Sequence, residues 1–361
     1  MTGPLPPGAT IGIIGGGQLG RMLAMAAARL GYRTIILEPQ SDCPASQVAN
    51  AQIVAAYDDR KALDRLAEAC AVVTYEFENV PVSAAERIAA RTQVFPPPMA
   101  LEVSQDRLVE KRFLNEIGLR TARFHPVDGD ADLADGLAAF GGAGVLKTRR
   151  FGYDGKGQRV FRNASAADAR GMHAAMGGVP LILESFVDFD REISVIAARA
   201  GDGSCISYDP AENVHRDGIL RRSTVPAAIS DETMSGARDA AFAILARLDY
   251  VGVIGVEFFE AGDWLVVNEI APRVHNSGHW TEAACAVSQF ETHIRAIAGL
   301  PLAPTVRHSD CVMENLIGDE VAQASALLAE PRVVVHLYGK AEARPGRKMG
   351  HFTRLATRSE G

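Results

Sequence analysis

Apolar and polar positions alternate in two different rhythms along the chain. In the first third, short β-branched runs alternate with longer stretches rich in Ala, Leu and Met. ATIGIIGG (9–16) predicts a strand, QLGRMLAMAAARLG (18–31) a helix stopped by Gly31, and YRTIILEP (32–39) a second strand ended by Pro39. RKALDRLAEAC (60–70) predicts a helix, AVVTYEF (71–77) a strand, PVSAAERIAART (81–92) a helix with Pro81 at its start, and QVFPP (93–97) a short strand. This βαβα order implies a Rossmann-like parallel sheet covered on both faces. Ser104 or Asp106 then opens a longer helix, QDRLVEKRFLNEIG, closed by Gly118.

From about Leu119 the rhythm changes. TARFHPV (121–127) and GVLKTRR (144–150) read as strands around the helix DADLADGLAAFGG, and the glycine-rich stretch FGYDGKGQRVFRN (151–163) reads as strand–loop–strand. LILESFVDFDREISVIAAR (181–199) predicts a strand pair with an acidic bend, and residues 204–226 more antiparallel strand. SDETMSGARDAAFAILARLDY predicts a helix capped by Ser230. VGVIGVEFF and WLVVNEI form a hairpin around Ala261–Asp263. The end of the chain offers a short helix (QASALLAE), a strand (VVVHLYGK) and a basic tail, RPGRKMGH.

Length adds a constraint: 361 residues are too many for one small core and predict two or three domains. A net charge of −7 without a basic stripe argues against a nucleic-acid or anionic-membrane surface. No apolar run approaches the roughly 18 residues of a membrane span. Five widely spaced cysteines (Cys43, Cys70, Cys205, Cys285, Cys311) form no C-x-x-C, so a reducing cytoplasm is the expected location.

Three places carry candidate chemistry. Gly15, Gly17 and Gly20 fit G-x-G-x-x-G after a strand, and TIILE ends in Glu38, the pattern of a dinucleotide-binding turn. In the hairpin, a three-residue loop at Ala261–Asp263 would set Glu257 opposite Val267 and put Glu257 and Glu269 on one face. Two such carboxylates repel unless a cation such as Mg²⁺ lies between them; the alternative is two solvent-facing strand residues. In Gly152-Tyr153-Asp154-Gly155-Lys156-Gly157-Gln158, alternate glycines can bring backbone N–H groups close to a triphosphate, although an ordinary hairpin turn has the same look. Lys147 is a charge inside an apolar strand and calls for an anionic partner.

Lys147, GYDGKGQ, ESFV (Glu184, Ser185, Phe186, Val187), Glu192 and the Glu257/Asn268–Glu269 hairpin together resemble the ATP-grasp superfamily. GGGQLGRM, TYEFENV, SQDRLVEKRFL, NEIAPRVHNSGHWT and YGK…RPGRKMGH narrow the resemblance to the N5-carboxyaminoimidazole ribonucleotide synthetases of purine biosynthesis, over Ile11 to His351. The resemblance implies a pre-ATP-grasp domain (1–122), a two-subdomain α+β ATP-grasp centre (123–300) and a small β-rich C-terminal domain (301–361).

It also implies roles. ATP contacts fall on Arg107, Lys147, Gly152–Gln158, Glu184–Val187, Glu192, His215, Asn268 and Glu269. Mg²⁺ falls on Glu257 and Glu269. Aminoimidazole ribonucleotide falls on Gln18, Leu19, Glu76 (or Glu78), Tyr153, Arg273, His275, Asn276, Lys340 and Arg347. Asp154, Lys156, Arg273 and Lys340 are the implied catalytic residues, with Asp154 the base for the substrate amine. Bicarbonate and ATP are the co-substrates, and a homodimer is expected. Phe151 departs from the family pattern, standing where a second glycine is common.

Three other readings remain at this point. An NAD-dependent dehydrogenase accounts for residues 11–38 alone. Another ATP-grasp ligase would share the nucleotide half, and a catalytically silent relative would not need both hairpin carboxylates.

Overall fold

A computed structural model describes residues 3–152 and 157–359, and its first third is a parallel sheet. Among the described residues the strand order is Ala51–Ile53, Arg33–Leu37, Thr10–Ile14, Val72–Tyr75, Gln93–Val94. Ile11, Ile13, Ile36, Val72 and Val73 are fully buried, as a β-branched run must be when helices cover both faces. The strand Ala51–Ile53 was not expected; three residues at a sheet edge give no periodic signal.

The helix expected over 105–118 is Arg107–Glu116, and a further helix that was not expected, Pro98–Gln105, precedes it. Asp106 between them is extended, and its carboxylate accepts from the Leu108 and Val109 N–H groups, so Asp106 is the cap. Ser104 lies inside the first helix and donates to the Ala100 carbonyl at 2.8 Å.

Two antiparallel sheets follow. The smaller has the order Phe124–Val127, Leu181–Glu184, Gly144–Thr148, Gln158–Phe161. The larger runs Trp264–Ala271, Gly252–Ala261, Arg191–Arg199, Ala211–Arg216, Ile219–Val225, Ser309–Ile317, Lys348–Thr357, Val333–Leu337, with Cys205–Ser207 paired to Arg191–Arg199. The strand pair expected over 181–199 is therefore not a pair. Leu181–Glu184 belongs to the small sheet and Arg191–Arg199 to the large one, so the acidic stretch crosses between sheets.

The basic stretch 344–351 is likewise no tail: Lys348 begins a ten-residue strand paired with Ser309–Ile317 and Val333–Leu337. The strands after residue 301 continue the large sheet.

One buried cluster joins Ile11, Met22 and Leu23 to Ile196, Trp280, Phe290 and Met313. The parallel-sheet unit and the large sheet thus share a core. That packing holds the first βα turn against the site described next.

Candidate active site

The hairpin Gly252–Ala261/Trp264–Ala271 turns through two residues, since Ala261 pairs with Trp264. The expected three-residue loop is absent, and Val267 pairs with Phe258 rather than Glu257. A plain two-residue register would put Glu257 and Glu269 on opposite faces. A bulge beyond Phe258 absorbs Asn268 as an extra residue and restores the match: Glu257 stands directly opposite Glu269. Burial and the neighbouring Glu269 charge push the Glu257 carboxyl up to about 7. Burial acts on Glu269 in the same sense, but Arg107 and Lys147 hold it below the usual carboxylate range. Two opposed oxygen donors lining the cavity, Glu257 mostly buried and Glu269 partly exposed, fit Mg²⁺, which would replace their repulsion with shared coordination.

Arg107, the first residue of its helix, spans the site. Its Nη1 donates to Glu269 Oε2 at 3.1 Å and its Nη2 to the Gly152 carbonyl at 3.3 Å. Lys147 finds its anion in Glu184, 2.8 Å away. Lys111, 1% exposed, reaches the same carboxylate at 3.8 Å and donates to the Asn268 carbonyl at 2.9 Å. Burial works against the Glu184 charge, yet Lys111 and Lys147 hold its pKa down to about 2. Burial also lowers the Lys147 ammonium, and Glu184 offsets part of that.

The glycine turn is occupied from within the chain. The Glu76 carboxylate accepts from the Gly17 N–H and, at 2.6 Å, from the Gly20 N–H. A Cβ at Gly17 would lie 2.7 Å from Glu76 Oε1, so only glycine admits this approach. Glu38 accepts from the Gly16 N–H at 2.9 Å and from the Tyr57 hydroxyl. The groups that would cradle a pyrophosphate and a ribose in a dinucleotide fold are spent on each other. Gln18 and Leu19 beside them still line the cavity.

Arg273 Nε donates to Glu78 Oε2 at 2.5 Å. His275 has Nδ1 2.8 Å from the Ser277 hydroxyl and Nε2 3.5 Å from Glu257. Burial, with Arg273 nearby, takes His275 down to about 3, so it is neutral there. Both side-chain polar atoms of Asn276 are buried with no hydrogen-bond partner among the described residues, and the residue lines the cavity. A buried amide left unpaired calls for an explanation, and a bound ligand is one that the cavity offers. Glu192 pairs with His215; burial opposes the imidazolium, but the Glu192 hydrogen bond raises the His215 pKa overall.

Most of the charged groups among these face one cavity of about 770 Å³. Of the residues singled out from sequence, Gln18, Leu19, Glu76, Arg107, Lys147, Gly152, Gln158, Glu192, His215, Glu257, Asn268, Glu269, Arg273, His275 and Asn276 line it. Glu184 sits behind Lys147. Ser185, Phe186, Val187 and Gly157 lie off the lining, as do Lys340 and Arg347. Lys340 donates to the Lys348 carbonyl at 2.7 Å; burial, then Arg347, lower its pKa to about 8. Lys348 itself lines the cavity. Tyr153, Asp154, Gly155 and Lys156 lie outside the described residues. Phe151 takes φ 61°, a left-handed value that glycine adopts without strain.

Sequence reasoning missed Lys111, Glu110 and the stacked Phe189–Phe259 pair, whose ring centroids are 4.6 Å apart. Glu110 accepts from the Ile270 N–H at 2.6 Å, and burial pushes it up to about 8.

Residues 8–105 match the ribonucleotide synthetase preATP-grasp domain, 112–290 the ATP-grasp domain, and 311–361 the phosphoribosylaminoimidazole carboxylase C-terminal domain. The chain is 64% identical to an N5-carboxyaminoimidazole ribonucleotide synthase of Brucella melitensis, over 98% of each chain. A Staphylococcus aureus N5-carboxyaminoimidazole synthetase solved with ADP matches at TM-score 0.92 and 37% identity, over 98% of this chain and 95% of that one. The Aspergillus clavatus synthase, solved with ADP and 5-aminoimidazole ribonucleotide, matches at TM-score 0.90 and 33% identity, over 97% and 94%. The chain belongs to the N5-carboxyaminoimidazole ribonucleotide synthase family of ATP-grasp ligases.

Proposed function

We propose that this chain uses ATP and bicarbonate to carboxylate 5-aminoimidazole ribonucleotide, yielding N5-carboxyaminoimidazole ribonucleotide, ADP and phosphate in purine biosynthesis. One observation carries the reading. A single cavity is lined both by the opposed carboxylates and phosphate-seeking cations and by Asn276 and the Gln18 turn. A ligase that works on two nucleotides needs both sets of groups in one space. The Aspergillus clavatus relative holds ADP and the imidazole nucleotide together, which supports that division.

Arg107 and Lys147 place positive charge where the polyphosphate would lie. Mg²⁺ held by Glu257 and Glu269 would supply further charge neutralisation at the phosphates. The apolar Phe259 and the segment Ser185–Val187 offer the adenine a slot, and Glu192 with His215 offers acceptors and donors to the ribose. A bicarbonate oxygen attacks the γ-phosphorus; ADP leaves and carboxyphosphate forms. The amine of the imidazole nucleotide then forms the N–C bond, the C–O bond to phosphate breaks, and Asp154 takes the amine proton.

Arg273 and Lys340 stabilise the developing anionic charge, and Lys156 adds a cation for the phosphates. Gln18, Leu19, Glu76, Tyr153, His275, Asn276 and Arg347 serve the ribonucleotide. The reading includes a homodimer, for which sedimentation gives the mass. Its test is coupling: ADP and carboxylated product must appear together, and only with both bicarbonate and aminoimidazole ribonucleotide present.

A further inference from the structure

A second group of ligand-type side chains lies off the cavity, where the short helix Thr281–Ala284 meets the strands Val333–Leu337 and Lys348–Thr357. His336 and His351 are register partners on those strands, with rings stacked 5.3 Å apart at 8°. Glu282 Oε2 lies 3.1 Å from His336 Nδ1, and this oxygen is buried without a hydrogen bond. One ligand atom from each of the three residues lies within 4.8 Å of the others. The Tyr338 hydroxyl, 2.9 Å from His351 Nδ1, engages one ring nitrogen and leaves the other for a ligand. A partner on the far ring nitrogen is how proteins orient ligating histidines.

We propose that Glu282, His336 and His351 form a second cation site, separate from the Glu257–Glu269 pair, that takes a borderline transition-metal ion such as Zn²⁺. Two imidazoles and one carboxylate suit Zn²⁺ or Co²⁺ and leave a position for water, whereas Mg²⁺ prefers an all-oxygen set. Bonds of about 2 Å hold tetrahedral ligands roughly 3.3 Å apart. Binding would require the partly exposed Glu282 and His336 side chains to rotate, turning the His336 ring out of its stack so that one nitrogen from each ring points at the ion. The ion would tie the segment that follows Asn276 to the C-terminal strands.

The test uses the full chain, stripped with chelator and held in excess Mg²⁺ and ADP, titrated with Co²⁺. The proposal expects one equivalent bound, with the visible absorption of low-coordinate, nitrogen-ligated cobalt, displaced by Zn²⁺. His336→Ala and Glu282→Gln should each weaken binding at least tenfold, and Tyr338→Phe about tenfold through the freed His351 ring. Glu257→Gln should leave the absorption unchanged. Circular dichroism of each metal-free variant checks that it is folded; two positions keep the test decisive if one variant is not. The proposal is overturned if the native chain shows no such absorption, if folded His336→Ala or Glu282→Gln binds as the native chain does, or if Glu257→Gln abolishes the signal.

Discussion

Glu257 stands directly opposite Glu269 because the hairpin takes up Asn268 as a bulge. The bulge, not the turn, sets the pair. Replacing either acid with Gln removes a charged oxygen donor; ATP turnover at saturating Mg²⁺ should fall by at least about 10²-fold, as for loss of a group that acts on transition-state charge. A coupled ADP assay reads this, and near-native turnover would exclude the pair as the metal site.

The same pair makes a pH prediction. The Glu257 carboxyl is raised to about 7 by burial and Glu269, above its ordinary value of 4.5. The folded chain therefore binds more protons than the unfolded one between about 4.5 and 7. Without a cation, this group's contribution to stability falls as pH rises through that window. Mg²⁺ requires the ionised form, so its stabilising effect should grow from pH 6 to pH 8. Thermal melts with and without Mg²⁺ across that range check the sign; an Mg²⁺ effect independent of pH contradicts it.

Lys111 and Lys147 share Glu184. Lys111→Met leaves the buried Asn268 carbonyl without its donor and takes away one of the two cations beside Glu184, with Lys147 still paired to it. The loss should be about 1–3 kcal/mol in urea unfolding. Lys147→Met retains Lys111 beside Glu184, so it should affect the ATP KM and turnover more than stability. Equal stability losses for the two would show that both lysines are structural.

Glu76 caps the Gly17 and Gly20 N–H groups. Because this turn already holds a carboxylate, NADH should show no saturable binding by fluorescence titration. Glu76→Ala, which strands two donors, should cost about 2–3 kcal/mol. Saturable NADH binding to the native chain would restore the dehydrogenase reading.

Asn276→Leu removes a cavity-lining amide that has no hydrogen-bond partner among the described residues. Its KM for aminoimidazole ribonucleotide should rise roughly tenfold or more with the KM for ATP unchanged, a split visible in steady-state kinetics. An equal rise in both would place Asn276 elsewhere in the mechanism.

The parallel sheet was readable in the sequence because buried β-branched runs and Ala-rich helices differ in period and composition. Glu257, Glu269, Arg107 and Lys147 were readable because charges in apolar strands, or motifs of known spacing, stand out. The bulge was not: nothing local to Asn268 marks it, and the shared face of Glu257 and Glu269 was expected from the wrong loop length and the wrong partner, Val267. Lys111 and Glu110 were missed because adjacent charges on a helix ordinarily face water. Here the helix is pressed against the hairpin, and both are buried. The stretch that holds Lys348 reads as a basic tail because its strand is defined by partners that come from 309–317 and 333–337. The cluster of Glu282, His336 and His351 draws on three distant segments and has no spacing to notice.

The central claim is the coupling of two nucleotides in one cavity, and it is tested most directly by incubating the pure protein and Mg²⁺-ATP with bicarbonate and aminoimidazole ribonucleotide, together and singly. ADP and the acid-labile carboxylated nucleotide are measured in each. The account predicts equimolar ADP and carboxylated product with both substrates, and little of either when one is omitted. ATP turnover indifferent to aminoimidazole ribonucleotide, with no carboxylated product, would contradict it.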